Sequence, residues 1–187
     1  MKWVLRIGGA LVALLLVVLI TLVAMGHRAD AGRIRATVEI GASPEQLWPW
    51  VNDRDKLTRW VSWLVDVREE TPDAAVGARR VWVMKDENNG GAPMEILGVF
   101  REYIPMKRLT VAVSSGDAFD GVQTYEFTDL GNGRTRMDID SHFHFGARFA
   151  QLMEPVISPA ARKKLVGDLG RLKALVEEHA SVPQPAR

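Results

Sequence analysis

Cysteine is absent from the 187 residues. That removes disulfides, thiol nucleophiles and thiolate metal sites together, and it excludes a lipid-modified cysteine as an anchor. Charge of one sign is lacking too. Against 24 Lys and Arg stand 23 Asp and Glu, a formal net charge of +1, so the chain carries no electrostatic footprint for nucleic acid. No phosphate-binding glycine loop is present, Gly90-Gly91 reading as a turn, and no nucleophile elbow surrounds a serine. Ser114 and Ser115 stand in no context that would activate a hydroxyl. Nothing in the sequence implies a cofactor.

What is there begins with one long hydrophobic run. Val4–Met25 is apolar apart from Arg6, two glycines and Thr21. As a helix it would span roughly 33 Å, enough to cross the hydrocarbon core of a bilayer. The apolar stretch is longer than the core of a cleavable signal, and the one small-x-small pattern after it, Ala29-Asp30-Ala31, lies beyond His27-Arg28. Residues 1–32 are therefore expected to form an uncleaved transmembrane anchor with a short juxtamembrane linker, Trp3 lying near the interface. Basic residues flank the run on both sides, so the positive-inside rule is close to a tie. Short tails ahead of a first anchor usually stay cytoplasmic, which places the body on the extracytoplasmic side.

Beyond the anchor the periodicity changes to two. Ile34, Ala36, Val38 and Ile40 alternate with Arg35, Thr37 and Glu39, the mark of a half-buried strand. Ser43, Pro44 and Gln46 then make a capping box with proline at the first helical position. That helix is expected to carry Leu47, Trp48 and Val51 inward, with Trp50 pointing away from Trp48. A second short helix through Lys56 and Leu57 leads into Trp60-Val61-Ser62-Trp63.

Strands follow at Leu64–Glu70, Arg79–Lys85, Met94–Tyr103, Arg108–Ser114, Val122–Thr128 and Thr135–Phe145, separated by turn residues. Pro72 with Gly77, Asn88-Asn89-Gly90-Gly91, Pro105, Ser115-Gly116-Asp117 and Gly131-Asn132-Gly133 mark the turns. Helical period returns at the C-terminus, where Leu165, Leu169, Leu172 and Val176 form one apolar stripe. Pro155 and Pro159 predict a break before it, leaving Ala147–Glu154 as a separate turn or short helix. Residues 33–180 thus form one domain, and 181–187, with Pro183 and Pro185, a disordered tail. A run of antiparallel strands with one long amphipathic helix across it buries both apolar faces and often leaves a cavity between them.

Several of these pieces resemble the START-like, polyketide-cyclase-like SRPBCC superfamily. They are Val38–Trp48, Val51-Asn52-Asp53, Trp60–Trp63, and Phe100–Pro105 leading to Arg108-Leu109. The order of the pieces carries the resemblance; Trp60–Trp63 lacks a proline that relatives often have there. The resemblance implies an α+β helix-grip fold, a curved seven-stranded antiparallel sheet around the C-terminal helix. It also implies an apolar pocket for lipids, polyketides or other hydrophobic molecules, and it brings no family-wide catalytic residues.

Candidate pocket residues are Trp48, Trp60, Trp63, Trp82, Phe100, Val111, Leu165 and Leu169, large apolar walls at helix and strand spacing. The same spacing suits ordinary core. His142 and His144 share a strand face with Asp138 and Asp140. Successive side chains on that face lie about 7 Å apart, too far to converge on one ion, so a solvated face is expected and no metal site. Arg79 and Arg80 could pair an acidic ligand head group through the guanidinium fork, but alternation on the strand turns one of them outward, and both are read as solvated. Arg162-Lys163-Lys164 is read as an exposed helix face. Glu95, Glu102 and Glu126 are candidate acids only if buried. The leading expectation is a membrane-tethered protein holding a hydrophobic small molecule or lipid. An enzyme using acid–base residues in the pocket, and an interaction module with a filled core, are the alternatives.

Overall fold

The computed structural model describes residues 2–26, 31–71, 74–85, 90–146 and 148–181. It contains α1 (Lys2–Gly26), β1 (Arg33–Ile40), α2 (Pro44–Asn52) and α3 (Arg54–Trp60). These are followed by β2 (Leu64–Glu69), β3 (Arg79–Lys85), β4 (Pro93–Ile104), β5 (Arg108–Ser115), β6 (Phe119–Gly131), β7 (Arg134–Phe145) and α4 (Arg148–Ser181). The strands form one antiparallel sheet in the order β1-β7-β6-β5-β4-β3-β2. After β1 the chain crosses through α2 and α3 to the far edge, then meanders back strand by strand until β7 pairs with β1. This is the helix-grip α+β fold.

Alternation decides which side chains meet the helices. Ala36, Ile139, Tyr125 and Leu109 lie opposite one another across β1, β7, β6 and β5, and all point to the inner face. Val38, Met137 and Phe127 form the next row on that face. Onto it packs the C-terminal half of α4, where Leu169, Leu172 and Val176 are fully buried. Polar contacts fix the helix lengthwise: Glu177 Oε1 accepts from Gly41 N at 2.7 Å, and Lys173 Nζ donates to Glu39 O at 2.7 Å. Thr135, fully buried, donates its hydroxyl to Ala42 O at 2.7 Å, tying β7 to the loop before α2.

Local chemistry explains the turns. Gly131, Asn132 and Gly133 all have positive φ, 75°, 53° and 67°, which glycine and asparagine tolerate where other residues strain. Ser43 and Gln46 make the expected capping box at α2. Of the expected turn residues, Pro72, Asn88 and Asn89 lie outside the described residues, as do residues 182–187.

Two expectations are corrected and one is extended. First, α4 is continuous through Pro155 and Pro159 rather than broken. Each proline removes one backbone donor, and because the two are four residues apart, both losses fall on the same side of the helix. Pro159 is exposed there. Second, Trp50 does diverge from Trp48, but into the core, where it is 2% exposed. Third, Arg80 is 5% exposed and not solvated, whereas Arg79 on the opposite face is exposed.

α1 is long and apolar enough to cross a membrane over Arg6–Met25, and most of its described apolar side chains are exposed.

Candidate functional site

The inner face of the sheet divides into a covered and an uncovered part. Phe100, Leu109, Val111, Phe127, Met137 and Ile139 are buried. Trp82, Met84, Ile96, Phe119, Tyr125 and Phe143, apolar residues of the same face, remain half-buried. Leu165 on α4 and Trp63 after α3 are half-buried as well, and Trp63 O accepts from Lys85 N at 2.7 Å, at the end of β3 that carries Met84. We call this half-buried apolar stretch beside the core the trough.

Two glycines make room for its aromatic floor. A Cβ on Gly98 would lie 2.1 Å from the Trp82 ring, and one on Gly121 would lie 2.8 Å from the Phe143 ring. The bare Gly98 leaves room for the Trp82 ring, and at Gly121 a side chain would also meet the His142 carbonyl, at 2.4 Å. Phe143 meets Phe119 edge-on at 5.6 Å between centroids. Burial raises the Tyr125 phenol above its ordinary pKa, so at neutral pH it stays a protonated donor within an apolar wall.

The other expected pocket residues take different places. Trp60 is buried and donates its indole N–H to Trp50 O at 2.8 Å. Trp48 packs edge-on against Tyr103 and Phe127, at 5.5 and 5.4 Å. Val111 and Leu169 lie in the core beneath. Phe100 stacks on Tyr103 at 5.8 Å and also reaches a separate, polar cleft.

That cleft, of about 340 Å³, opens where the α2–α3 corner faces the start of β3, and is lined by Asn52, Asp53, Glu69, Thr71, Arg80 and Phe100 among others. Arg80 forms its floor. Its guanidinium lies 5.3 Å from the Phe100 ring centroid, donates to Asn52 O at 2.9 Å, and pairs with Glu69 at 2.8 Å. The alternation of Arg79 and Arg80 showed in sequence that one must face outward. It did not show that Glu69, opposite Arg80 in the β2–β3 register, would let the inward one stay charged.

The remaining charged candidates are on the solvent side. Glu95 pairs with Arg68, and Glu126 and Glu102 face Arg108, all with exposed side chains. His142 and His144 are exposed neighbours, with Asp138 held by Thr37 and Arg136, and Asp140 by Arg33 and Arg35. Among the described residues no group of three or more His, Asp or Glu is placed to share a metal ion. Arg162 and Lys163 are exposed, while Lys164 lies 4.6 Å over the Trp63 ring.

Comparison with known proteins agrees with this geometry. The family model for polyketide cyclase / dehydrase and lipid transport proteins matches residues 31–177. No curated protein matches the sequence. Among solved structures, TTHA0849 from Thermus thermophilus superposes with a TM-score of 0.66 at 20% identity, over 80% of this chain and 99% of that one. A conserved protein from Geobacillus kaustophilus reaches 0.65 at 9% identity, over 78% and 95%. CV1439 from Chromobacterium violaceum reaches 0.61 at 20% identity, over 78% and 98%. At these identities the likeness is one of fold.

Proposed function

Because the chain belongs to the polyketide cyclase / dehydrase and lipid transport family, we propose that its body binds a hydrophobic small molecule or lipid in the trough. The observation that carries this reading is the uncovered half of the inner face. Trp82, Met84, Ile96, Phe119 and Phe143 are apolar, point inward, and stay half-buried. A closed core would bury them, gaining about 25 cal/mol for each Å² removed from water. A ligand laid over them makes the same gain. Trp63, Trp82 and Leu165 would touch it, with Phe100 at one end; Trp48, Trp60, Val111 and Leu169 form the wall behind.

In this reading α1 is a membrane tether for residues 33–180, and the body sits on the extracytoplasmic side. A tether suits a poorly soluble ligand, which partitions into the bilayer and need not cross water. Retention of the full chain in membranes after alkaline carbonate washing supports the tether; release into the wash removes it.

The direct test is mass spectrometry of what co-purifies with the full chain under native conditions. A defined apolar molecule, released on denaturation and absent from a Trp82→Asp, Ile96→Asp control, is the expected result. A preparation that neither carries such a molecule nor takes up an added apolar fluorophore would overturn the reading.

A further inference from the structure

The polar cleft and the apolar trough meet on one strand. Arg80, Trp82 and Met84 share the inner face of β3, in steps of about 7 Å. Along β4 the paired positions are Gly98, Ile96 and Met94, with Phe100 one step beyond Gly98, and the Trp82 ring reaches diagonally over Gly98. A buried cation thus stands at the head of a continuous apolar line.

Arg80 is not saturated by its partners. A guanidinium has five N–H groups, and here one is donated to Asn52 O and one to Glu69. The Glu69 side chain is 39% exposed, so its carboxylate can turn out into water without being stranded. Beside it, Asn52 Oδ1 is buried without a hydrogen-bond partner, a standing demand for a donor. Asn52 and Arg80 line the same cleft.

We propose that the ligand is an amphipathic carboxylic acid carrying a hydroxyl near its carboxylate. The carboxylate takes the place of Glu69 on the Arg80 guanidinium, the hydroxyl donates to Asn52 Oδ1, and the chain runs over Phe100 and Trp82 towards Met84. This inference rests on the trough being a binding site and names the chemistry of its ligand.

The test uses the full chain in nanodiscs, with equilibrium dialysis against empty nanodiscs as reference. Three probes of one chain length are compared: dodecanol, dodecanoate and β-hydroxydodecanoate. Dodecanoate should bind about tenfold more tightly than dodecanol, since a charge-assisted fork is added, and the hydroxy acid a further several-fold. Arg80→Gln should abolish the first step and leave dodecanol binding in place. Asn52→Ala should abolish only the second. Glu69→Gln keeps the cation and removes its competitor, so dodecanoate should bind more tightly to it, whereas a purely structural ion pair predicts weaker binding.

If the wild-type chain binds dodecanol and dodecanoate equally, or Arg80→Gln keeps the step between them, the acid inference fails and the apolar reading stands. If none of the three probes binds above empty nanodiscs, both fail.

Discussion

At the end of the sheet beside α2, Phe127, Leu109 and Met137 are buried under Trp48 and the C-terminal half of α4. At the other end Trp82, Met84, Ile96, Phe119 and Phe143 point to the same side of the same sheet and remain half-buried. Composition does not separate the two ends; what lies opposite does. Leu169, Leu172 and Val176 present a closed stripe to the first. Towards the start of α4, Val156 is exposed, at 54%, and Leu152, Ile157 and Leu165 are only half-buried, so among the described side chains the closed apolar stripe does not extend there. One half of the inner face holds the fold together, and the other is left available.

That division predicts that truncations at the two ends differ most in stability. Leu172→Ala, at a fully buried position, should destabilise the full chain by about 2–5 kcal/mol, through lost burial and a residual cavity. Ile96→Ala, at a half-buried position, should cost roughly 1 kcal/mol and instead weaken uptake of an apolar probe. Thermal unfolding in nanodiscs compares them. Equal losses would mean the trough is filled, and the interaction-module alternative would then lead.

Gly98→Ala probes the boundary between the two ends. The new Cβ would lie 2.1 Å from the Trp82 ring, and overpacking of this kind costs about 1–3 kcal/mol. Pairing it with Trp82→Ala should recover most of that loss in stability while leaving probe binding weak. A double-mutant cycle measures the coupling, and strictly additive losses would show that the ring does not lie where the structure has it. A smaller effect is expected at the rim. Lys164→Gln removes a cation over the Trp63 ring, worth about 0.5–1 kcal/mol, and should shift the Trp63 emission without altering the closed end.

Much of this arrangement was legible in the sequence, and the exceptions have physical reasons. The alternation in Arg33–Ile40 gave the inner face of β1, the capping box gave the start of α2, and turn residues bounded the strands. Trp50 turns away from Trp48 as expected, and its burial was readable as well: Leu47, Trp50 and Val51 sit at i, i+3 and i+4, one helical face. Pro155 and Pro159 misled because their spacing, which confines the lost hydrogen bonds to one side, matters more than their presence. The burial of Arg80 was out of reach, since it depends on Glu69 lying opposite it in the register and on the Asn52 carbonyl delivered by α2. Side chains meeting across elements are set by tertiary geometry, which local pattern does not encode. For the same reason the sequence supplied eight apolar candidates but not the division between wall and trough.

The smallest effect is expected on the outer face, and it separates that face from the inner one by pH. Asp140 accepts hydrogen bonds from Arg33, with Nε at 3.0 Å from Oδ1, and from Arg35 at 3.1 Å. The Arg33 hydrogen bonds, reinforced by Arg35 and opposed by partial burial, hold its carboxyl below the usual carboxylate value. A carboxyl lowered in the folded state stabilises the fold above its unfolded pKa, near 4. That contribution fades as pH falls through the unfolded value and is gone below the folded one. The Asp140 side chain is 40% exposed, so solvent screening limits the contribution to under about 1 kcal/mol. Asp140→Asn should therefore lower the thermal midpoint slightly at pH 7, less in high salt, and progressively less as the pH falls below the unfolded carboxyl value. Binding of an uncharged apolar probe should be unchanged by it at any of these conditions where the chain is folded. A loss of probe binding in Asp140→Asn at pH 7 would mean that the two faces are coupled through β7, and the division of labour between them would have to be abandoned.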